Sequence, residues 1–335
     1  MNPALKVLAV ALIVVAVVAS VGLYLWHSSG SSKGVEDVIK SYLEVYSTRS
    51  EVREKAIEIL KQYLSTSGTV LWQSVSVSAR SSRTIELNLY EDVIYWLSID
   101  VSGSFCISCD IHLELSDSKG NLVLIRTPQE PTAIFGRYPY LRMNFTLSPL
   151  SIDPTDTYYL VLDNSYSILT SKTVYVTLKA YYPSYATADD YFKIFAIGHW
   201  ISKRFTYVSD PHGLEYVASP NQTLKILAGD CDDLAVLLAT LYRSVGLNAG
   251  VALIDTNGDG KTDHAATVIH LDKDPKEVLR GIAKWASVQR IKISKISYFE
   301  VERGIYLIVD PLMTRNTDNP WHIDAPIYRL VKVIK

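Results

Sequence analysis

The chain is poor in cysteine, with 3 among 335 residues, and neither sign of charge is in marked excess. Its formal net charge of −2 at pH 7 gives no electrostatic reason to expect nucleic acid as a partner. Phenylalanine is also scarce, at 7 residues against 22 tyrosines, which predicts many half-buried aromatic side chains on β-structure. The length leaves room for two or three domains.

The cysteines fall into a close pair and a distant single residue. Cys106 and Cys109 lack the second pair that a metal site of this spacing needs, since Cys231 is the only cysteine left. They also lack the strand-to-helix context of a thioredoxin-like redox motif. A local disulfide in an oxidising compartment explains them best, and it leaves Cys231 as a lone thiol.

The longest apolar run, Val7–Trp26, contains no charged residue. As a helix it is long enough for the roughly 30 Å hydrocarbon layer of a bilayer. A cleaved signal peptide is the alternative, because Ala19 and Ser20 are small enough for a cleavage site. We favour an uncleaved anchor, since the apolar run continues through Leu25. Lys6 flanks it on the N-terminal side, so the rest of the chain is predicted to be extracytoplasmic, with the protein in the cell membrane as a single-pass protein.

The hydrophobic period changes along the chain and predicts a multidomain α+β architecture. Residues 1–33 hold the anchor and a Ser/Gly linker, and residues 34–67 have a helical period. Residues 68–183 alternate with a period of two between turn signals, which is typical of an antiparallel β-sandwich. Residues 184–335 mix both periods and form the C-terminal α+β domain.

The stretch Gly229–Leu238 turns from polar to apolar at Cys231. The apolar residues after it recur at helical spacing, and Asp230 is a capping residue, so Cys231 is predicted at or next to a helix N-terminus. Free N–H groups and the helix dipole favour a thiolate there, although the neighbouring acids oppose it. A small buried cysteine at a helix start is the alternative interpretation.

A histidine and an aspartate downstream supply what a thiol nucleophile needs. His264 opens a β-rich run, and Asp310 ends the apolar run Gly304–Val309. A thiol needs a base for its proton, and that base needs an acceptor that fixes its tautomer. One helix start and two strand ends could bring Cys231, His264 and Asp310 together.

These residues resemble the transglutaminase-like superfamily, whose fold is related to papain. The resemblance covers roughly Ala186 to Leu312 and rests on four motifs: Gly229-Asp230-Cys231-Asp232-Asp233, Arg243–Ala249, His264-Ala265 and Val309-Asp310-Pro311. It implies that residues 184–335 are a transglutaminase-like domain. It also implies that Cys231 is the nucleophile, His264 the base and Asp310 the residue that orients His264. No aromatic residue follows His264 closely, where many relatives carry one.

The predicted sandwich carries a second resemblance. Tyr159–Ser167, together with Ser171-Lys172, is similar to the closing strands of GOLD-type β-sandwiches. That resemblance implies a domain that binds or spaces other proteins.

A polar stretch before His264 has the spacing of a calcium-binding loop. Its oxygen ligands would be Asp255, Asn257, Asp259, the carbonyl of Lys261, and Asp263, with glycine at the sixth position. The twelfth position, where a bidentate acid belongs, is Ala266. A plain hairpin turn is the alternative, because Asn-Gly and Asp-Gly pairs form turns unaided. We expect a weak, structural Ca²⁺ site.

Together these features predict a membrane-anchored, extracytoplasmic thiol acyl-transfer enzyme that acts on a protein or peptide substrate. The acyl-enzyme would pass to water in a protease or amidase, or to an amine in a transglutaminase. The alternative is a catalytically inactive transglutaminase-like module that binds proteins or organises the envelope.

Overall fold

The computed structural model describes residues 32–103, 111–126, 140–147, 157–167, 170–210 and 216–335. They form a mixed structure of α-helices and several β-sheets, divided into two compact units. The cysteine unit comprises Met1–Ala56, Ile201–Leu271 and Ser297–Lys335, and the sandwich unit comprises Ile57–Trp200 and Asp272–Ile296. The predicted boundaries at residues 67/68 and 183/184 remain predictions.

The described residues contain six α-helices: α1 (Ser32–Tyr46), α2 (Ser50–Leu64), α3 (Asp190–Ser202), α4 (Pro220–Ile226), α5 (Cys231–Ser244) and α6 (Pro275–Ser287). The first two occupy the segment for which a helical period was found. Local capping sets the helix starts. The side chain of Asp274 accepts a hydrogen bond from the backbone N–H of Lys276, and Pro275 stands at the first helical position of α6.

The sandwich unit holds eight strands: β1 (Ser67–Val77), β2 (Ser82–Asn88), β3 (Ile94–Ser102), β4 (His112–Ser116), β5 (Leu122–Arg126), β6 (Tyr140–Leu147), β7 (Thr157–Asp163) and β8 (Lys172–Tyr181). They form two four-stranded antiparallel sheets, in the orders β1-β8-β3-β6 and β2-β7-β4-β5. Alternate residues are buried, such as Tyr158, Leu160 and Leu162 of β7. One face of each sheet therefore contributes to a core, as the alternating pattern predicts.

The cysteine unit is built on a five-stranded antiparallel sheet in the order β13-β14-β12-β11-β15. Its strands are β11 (Ala249–Asp255), β12 (His264–Leu271), β13 (Tyr298–Glu300), β14 (Ile305–Val309) and β15 (Arg329–Ile334). The two short strands β9 (Thr206–Tyr207) and β10 (Ala228–Gly229) form a parallel pair. Helix α5 packs on β11 and β12, and its residues from Asp232 to Tyr242 are all buried.

Several predictions fall on residues outside the described part of the chain. Val7–Trp26 lies there, and so do Cys106 and Cys109. Within the described residues, no helix has the length and apolar character needed to cross a membrane. The membrane anchor and the disulfide therefore remain predictions. The GOLD-type resemblance lies on described residues, but no comparison tests it, and it also stays a prediction.

Candidate active site

Cys231 is the first residue of α5, so the predicted position at a helix N-terminus is observed. Asp230 precedes it with extended backbone angles, and the Asp230 side chain accepts from the backbone N–H of Asp233 as the N-cap. The β9–β10 pair places Tyr207 opposite Gly229, two residues before the cysteine. Cys231 is partly exposed and is a free cysteine.

His264 and Asp310 come from neighbouring strands of the five-stranded sheet. His264 is the first residue of β12, Asp310 directly follows the last residue of β14, and Thr267 pairs with Val309 between these strands. The same Thr267 donates its hydroxyl to the backbone carbonyl of Ala235 in α5, at 3.0 Å. That bond fixes the strand carrying the histidine against the helix carrying the cysteine.

Two of the three predicted catalytic side chains are hydrogen-bonded here, and the third is nearby. His264 Nε2 lies 2.5 Å from Asp310 Oδ2, and Cys231 is close enough for its charge to raise the pKa of His264. Because Nε2 faces the aspartate, Nδ1 is the ring nitrogen that remains for another partner. The other Asp310 oxygen accepts from the backbone N–H groups of Leu312, at 2.8 Å, and Met313, at 3.3 Å. These bonds hold a carboxylate that is only 2% exposed.

The surroundings of His264 favour its protonated form. Burial lowers its pKa, but the hydrogen bond to Asp310 and the interactions with the Asp310 and Cys231 side chains outweigh burial and raise the pKa to about 10. The imidazole is therefore positively charged at neutral pH, beside a cysteine at a helix N-terminus.

Three acids surround the helix start, and two of them are buried. Asp232 and Asp233 are 8% and 6% exposed, and ligand oxygens of Asp230, Asp232 and Asp233 lie within 4.8 Å of one another. Burial, followed by a hydrogen bond with the Asp230 side chain, raises the pKa of Asp232. Asp232 therefore retains its proton at neutral pH, which keeps one negative charge away from Cys231.

Asp233 ties the helix start to the preceding chain. Its Oδ1 accepts from the backbone N–H of Ala218 at 2.6 Å, and burial raises its pKa to about 6 although this bond lowers it. Gly229 allows the close approach, because a Cβ at that position would lie 2.3 Å from Asp233 Oδ2. This contact fixes the backbone on both sides of the cysteine.

The raised pKa of Asp232 leads to a prediction about how the stability of the protein depends on pH. Because the folded-state pKa of Asp232 lies above its ordinary value of 3.8, the unfolded chain loses this proton first as pH rises, and the folded state is penalised above about pH 4. Asn keeps the same shape without ionising. We expect Asp232→Asn to melt at least about 2 °C higher than wild type at pH 8, with no difference near pH 3.8. Asp37→Asn, a change at an exposed position, serves as control. If Asp232→Asn melts at the same temperature as wild type or lower at pH 8, Asp232 does not retain its proton in the folded state.

The predicted calcium loop joins β11 to β12, and its acids face the backbone of the loop itself. Asp255 Oδ1 accepts from the N–H of Gly258 at 2.6 Å, and Asp255 Oδ2 accepts from Gly260 at 2.9 Å. The Asn257 side chain accepts from Asp259, and the Asp259 side chain from Lys261, both at 2.8 Å. These turns form from the chain alone, as the hairpin alternative expects, and they leave further carboxylate lone pairs for an ion.

The last acid of the loop has a separate partner. Asp263 accepts from the backbone N–H and the hydroxyl of Thr256, both at 2.8 Å. Of the described acidic, histidine and cysteine residues, only the Asp230 group brings three ligand atoms within 4.8 Å of one another, and Asp255, Asp259 and Asp263 do not. The calcium site stays a prediction.

Thermal melting tests the calcium site. We expect millimolar Ca²⁺ to raise the melting temperature of the chain relative to EGTA, because an ion that binds only the folded state stabilises it by about 2.7 kcal/mol at a hundredfold excess over Kd. Asp259→Ala should lose this shift, and Asp272→Ala, an exposed acid outside the loop, should keep it. Equal melting of the wild type in both buffers would leave only a hairpin turn.

Sequence reasoning missed one side chain near the thiol. Tyr207 is 58% exposed, and its phenol lies close enough to Cys231 for the two charges to interact. Burial and the nearby charges of Cys231 and Asp230 raise the pKa of Tyr207. The position depends on a two-residue parallel strand pair, which leaves no periodic signal in the sequence.

Comparison with known proteins gives a family match for part of the chain. Residues 181–296 match the sequence profile of the transglutaminase-like superfamily, a range that includes Cys231 and His264 but ends before Asp310. No curated protein matches the chain.

Two solved structures show limited similarity. An arabinose-bound α-L-arabinofuranosidase is 12% identical, with 44% of this chain and 25% of that one aligned and a TM-score of 0.25. A candidate cysteine protease from Cytophaga hutchinsonii is 13% identical, with 56% of this chain and 75% of that one aligned and a TM-score of 0.19. Both TM-scores are too low to support a common fold.

Proposed function

We propose that this chain is a thiol-dependent acyl-transfer enzyme that acts on peptide or amide bonds, because residues 181–296 match the transglutaminase-like superfamily. The observation that supports the proposal is the hydrogen bond between His264 and the buried Asp310, close to the lone Cys231 at the start of a buried helix. A lone cysteine that had only a packing role would not need a histidine oriented by a buried carboxylate.

In the proposed first half-reaction, the Cys231 thiolate attacks the carbonyl carbon and a tetrahedral oxyanion forms. The backbone N–H of Cys231 belongs to the first turn of α5 and makes no hydrogen bond with the described residues, so it can donate to this oxyanion. The protonated His264 then gives its proton to the leaving amine as the carbon–nitrogen bond breaks. The products are a thioester on Cys231 and a free amine.

In the second half-reaction the neutral His264 acts as a base. It removes a proton from water or from an incoming amine, which attacks the thioester and releases the thiolate. Asp310 holds the ring and stabilises the imidazolium in both halves. Hydrolysis would make the chain a protease or amidase, and amine transfer would make it a transglutaminase.

We place the proposed enzyme outside the cytoplasm, anchored in the membrane by Val7–Trp26, with the calcium loop as a structural aid before His264. The uncharged run and the single flanking Lys6 support the anchor. N-terminal sequencing of the mature protein tests this location. An intact N-terminus is expected, and a start near Ala19 or Ser20 would mean a cleaved signal peptide.

The function is tested by mass spectrometry of a peptide mixture incubated with the chain, with and without an added primary amine. New termini or deamidated glutamines indicate transfer to water, and amine-modified peptides indicate transamidation. The Cys231→Ala protein should produce neither. Unchanged peptides, with the wild-type protein folded, would favour the inactive binding module.

A further inference from the structure

We propose a second binding site in the sandwich unit, a pocket that takes an acidic sugar unit of a polysaccharide. The pocket holds about 220 Å³ and is lined by Ile94, Trp96, Thr146, Lys179 and Tyr181. These residues come from β3, β6 and β8, strands of one sheet.

The strand register puts the pocket on the outer face of that sheet. Tyr95 and Leu97 of β3 are buried, as are Leu178 and Ala180 of β8, so the residues that alternate with them point away from the core. Trp96 stands between two cross-strand partners, Lys179 on β8 and Thr146 on β6. An aromatic ring, an ammonium group and a hydroxyl therefore share one row across the sheet.

The polar groups of this row are available to a ligand. The Lys179 ammonium lies 5.3 Å from the centroid of the Trp96 ring, and it forms no ion pair or hydrogen bond with another described residue. The hydroxyls of Thr146 and Tyr181 likewise make no hydrogen bond with described residues. An apolar or aromatic wall with a few well-placed polar groups is the usual lining of a ligand site.

Charge selects the class of ligand. Nearby on the same face, Arg142 Nε lies 2.6 Å from Asp100 Oδ1, so those two charges neutralise each other. Among the described residues, Lys179 is the charge of the pocket that has no acidic partner, and it complements an anion. A hexuronic acid offers a carboxylate for Lys179, hydroxyls for Thr146 and Tyr181, and a face of C–H groups for an aromatic ring.

The sheet topology disfavours an extended peptide at this place. Peptides that add to a sheet bind along a free strand edge, through main-chain hydrogen bonds. The pocket centres on β3 and β8, and each of these strands is already paired on both sides. Recognition here therefore depends on side chains alone.

A second aromatic side chain indicates that the ligand is a chain of sugars. Trp72 of β1 is 67% exposed and lies opposite Thr177 of β8. It is two strands across the sheet and two residues along from Trp96, roughly 12 Å away. Thr177 stands on the strand between them, and its partner Ser98 on β3 is buried. Two ring platforms with the Thr177 hydroxyl between them suit consecutive units of one polysaccharide.

The test is titration calorimetry of the full chain with two acidic trisaccharides of different linkage, trigalacturonate and triguluronate, and with their uncharged methyl esters. We expect wild type to bind at least one acid about tenfold or more tightly than its ester. Lys179→Gln should lose this preference and bind the ester unchanged. Trp96→Ala should lose both, and Lys61→Gln, an exposed lysine on α2, should match wild type.

Thermal melts confirm that each variant is folded. If Trp96→Ala fails to fold, Thr146→Val, a change at an exposed position, takes its place and should also weaken binding. Failure of both acids to bind at millimolar concentration, or unchanged binding by Lys179→Gln, would overturn the proposal. So would tighter binding of an acidic peptide, or a concentration-dependent dimer that Lys179→Gln abolishes. The peptide reaction of Cys231 is measured separately, so either proposal can fail alone.

Discussion

The Cys231→Ala protein is expected to lose about 10⁴-fold or more of the peptide or amide turnover of the wild type, because nothing else at the helix start can form the thioester. The fold should persist, since Cys231 is partly exposed and its loss leaves no large cavity. Turnover is measured by mass spectrometry on whichever peptide the wild type modifies, with thermal melting as the check on folding.

The matched control for this variant is the double change Cys106→Ser/Cys109→Ser. If the chemistry resides at Cys231, this protein keeps its turnover even where loss of the predicted disulfide lowers its stability. Turnover that survives in Cys231→Ala, or that disappears in the folded double variant, would place the nucleophile elsewhere.

The second large effect is expected at Asp310. Asp310→Asn should lower turnover by about 10²- to 10⁴-fold, as the corresponding change does in serine-protease triads, because the amide no longer holds the correct tautomer. The change is nearly isosteric, and the backbone N–H groups of Leu312 and Met313 can still donate to the amide oxygen.

The pH profile separates this role from a purely structural one. Acylation needs a protonated His264, so wild-type activity should fall only as pH rises through about 10. Burial lowers the pKa of His264 and the Asp310 hydrogen bond opposes it, so Asp310→Asn should move the alkaline limb to lower pH. An alkaline limb at the same pH in both proteins would show that Asp310 does not act through His264.

Much of the site could be predicted from the sequence, because its key residues stand at the ends of regular elements. The polar-to-apolar change at Cys231 marks a helix start, and His264 and Asp310 adjoin apolar strands. Each of these signals is local. The resemblance to a family is what indicates that the three residues lie close together in the fold. The loop from Asp255 to Asp263 is predicted as a calcium site with a hairpin turn as the alternative, and its side chains alone do not decide between the two.

What could not be predicted depends on pairings between distant segments. A strand pair of two residues places Tyr207 near Cys231, and the Ala218 N–H meets the Asp233 side chain through a single hydrogen bond. Neither leaves a period in the sequence. The Trp96–Lys179 pocket needs the register between β3 and β8, strands about 80 residues apart, which alternation alone does not determine. The alternation identifies which residues face outward, but not which strands lie beside each other.

The central claim, that His264 activates Cys231, is tested most directly by alkylation with a substoichiometric dose of iodoacetamide at pH 7, followed by peptide mapping. Only a few per cent of an ordinary thiol is ionised at this pH, whereas a thiolate paired with imidazolium is fully reactive. We expect wild-type Cys231 to react about tenfold or more faster than Cys231 in His264→Ala. Equal rates in the two folded proteins would contradict the account.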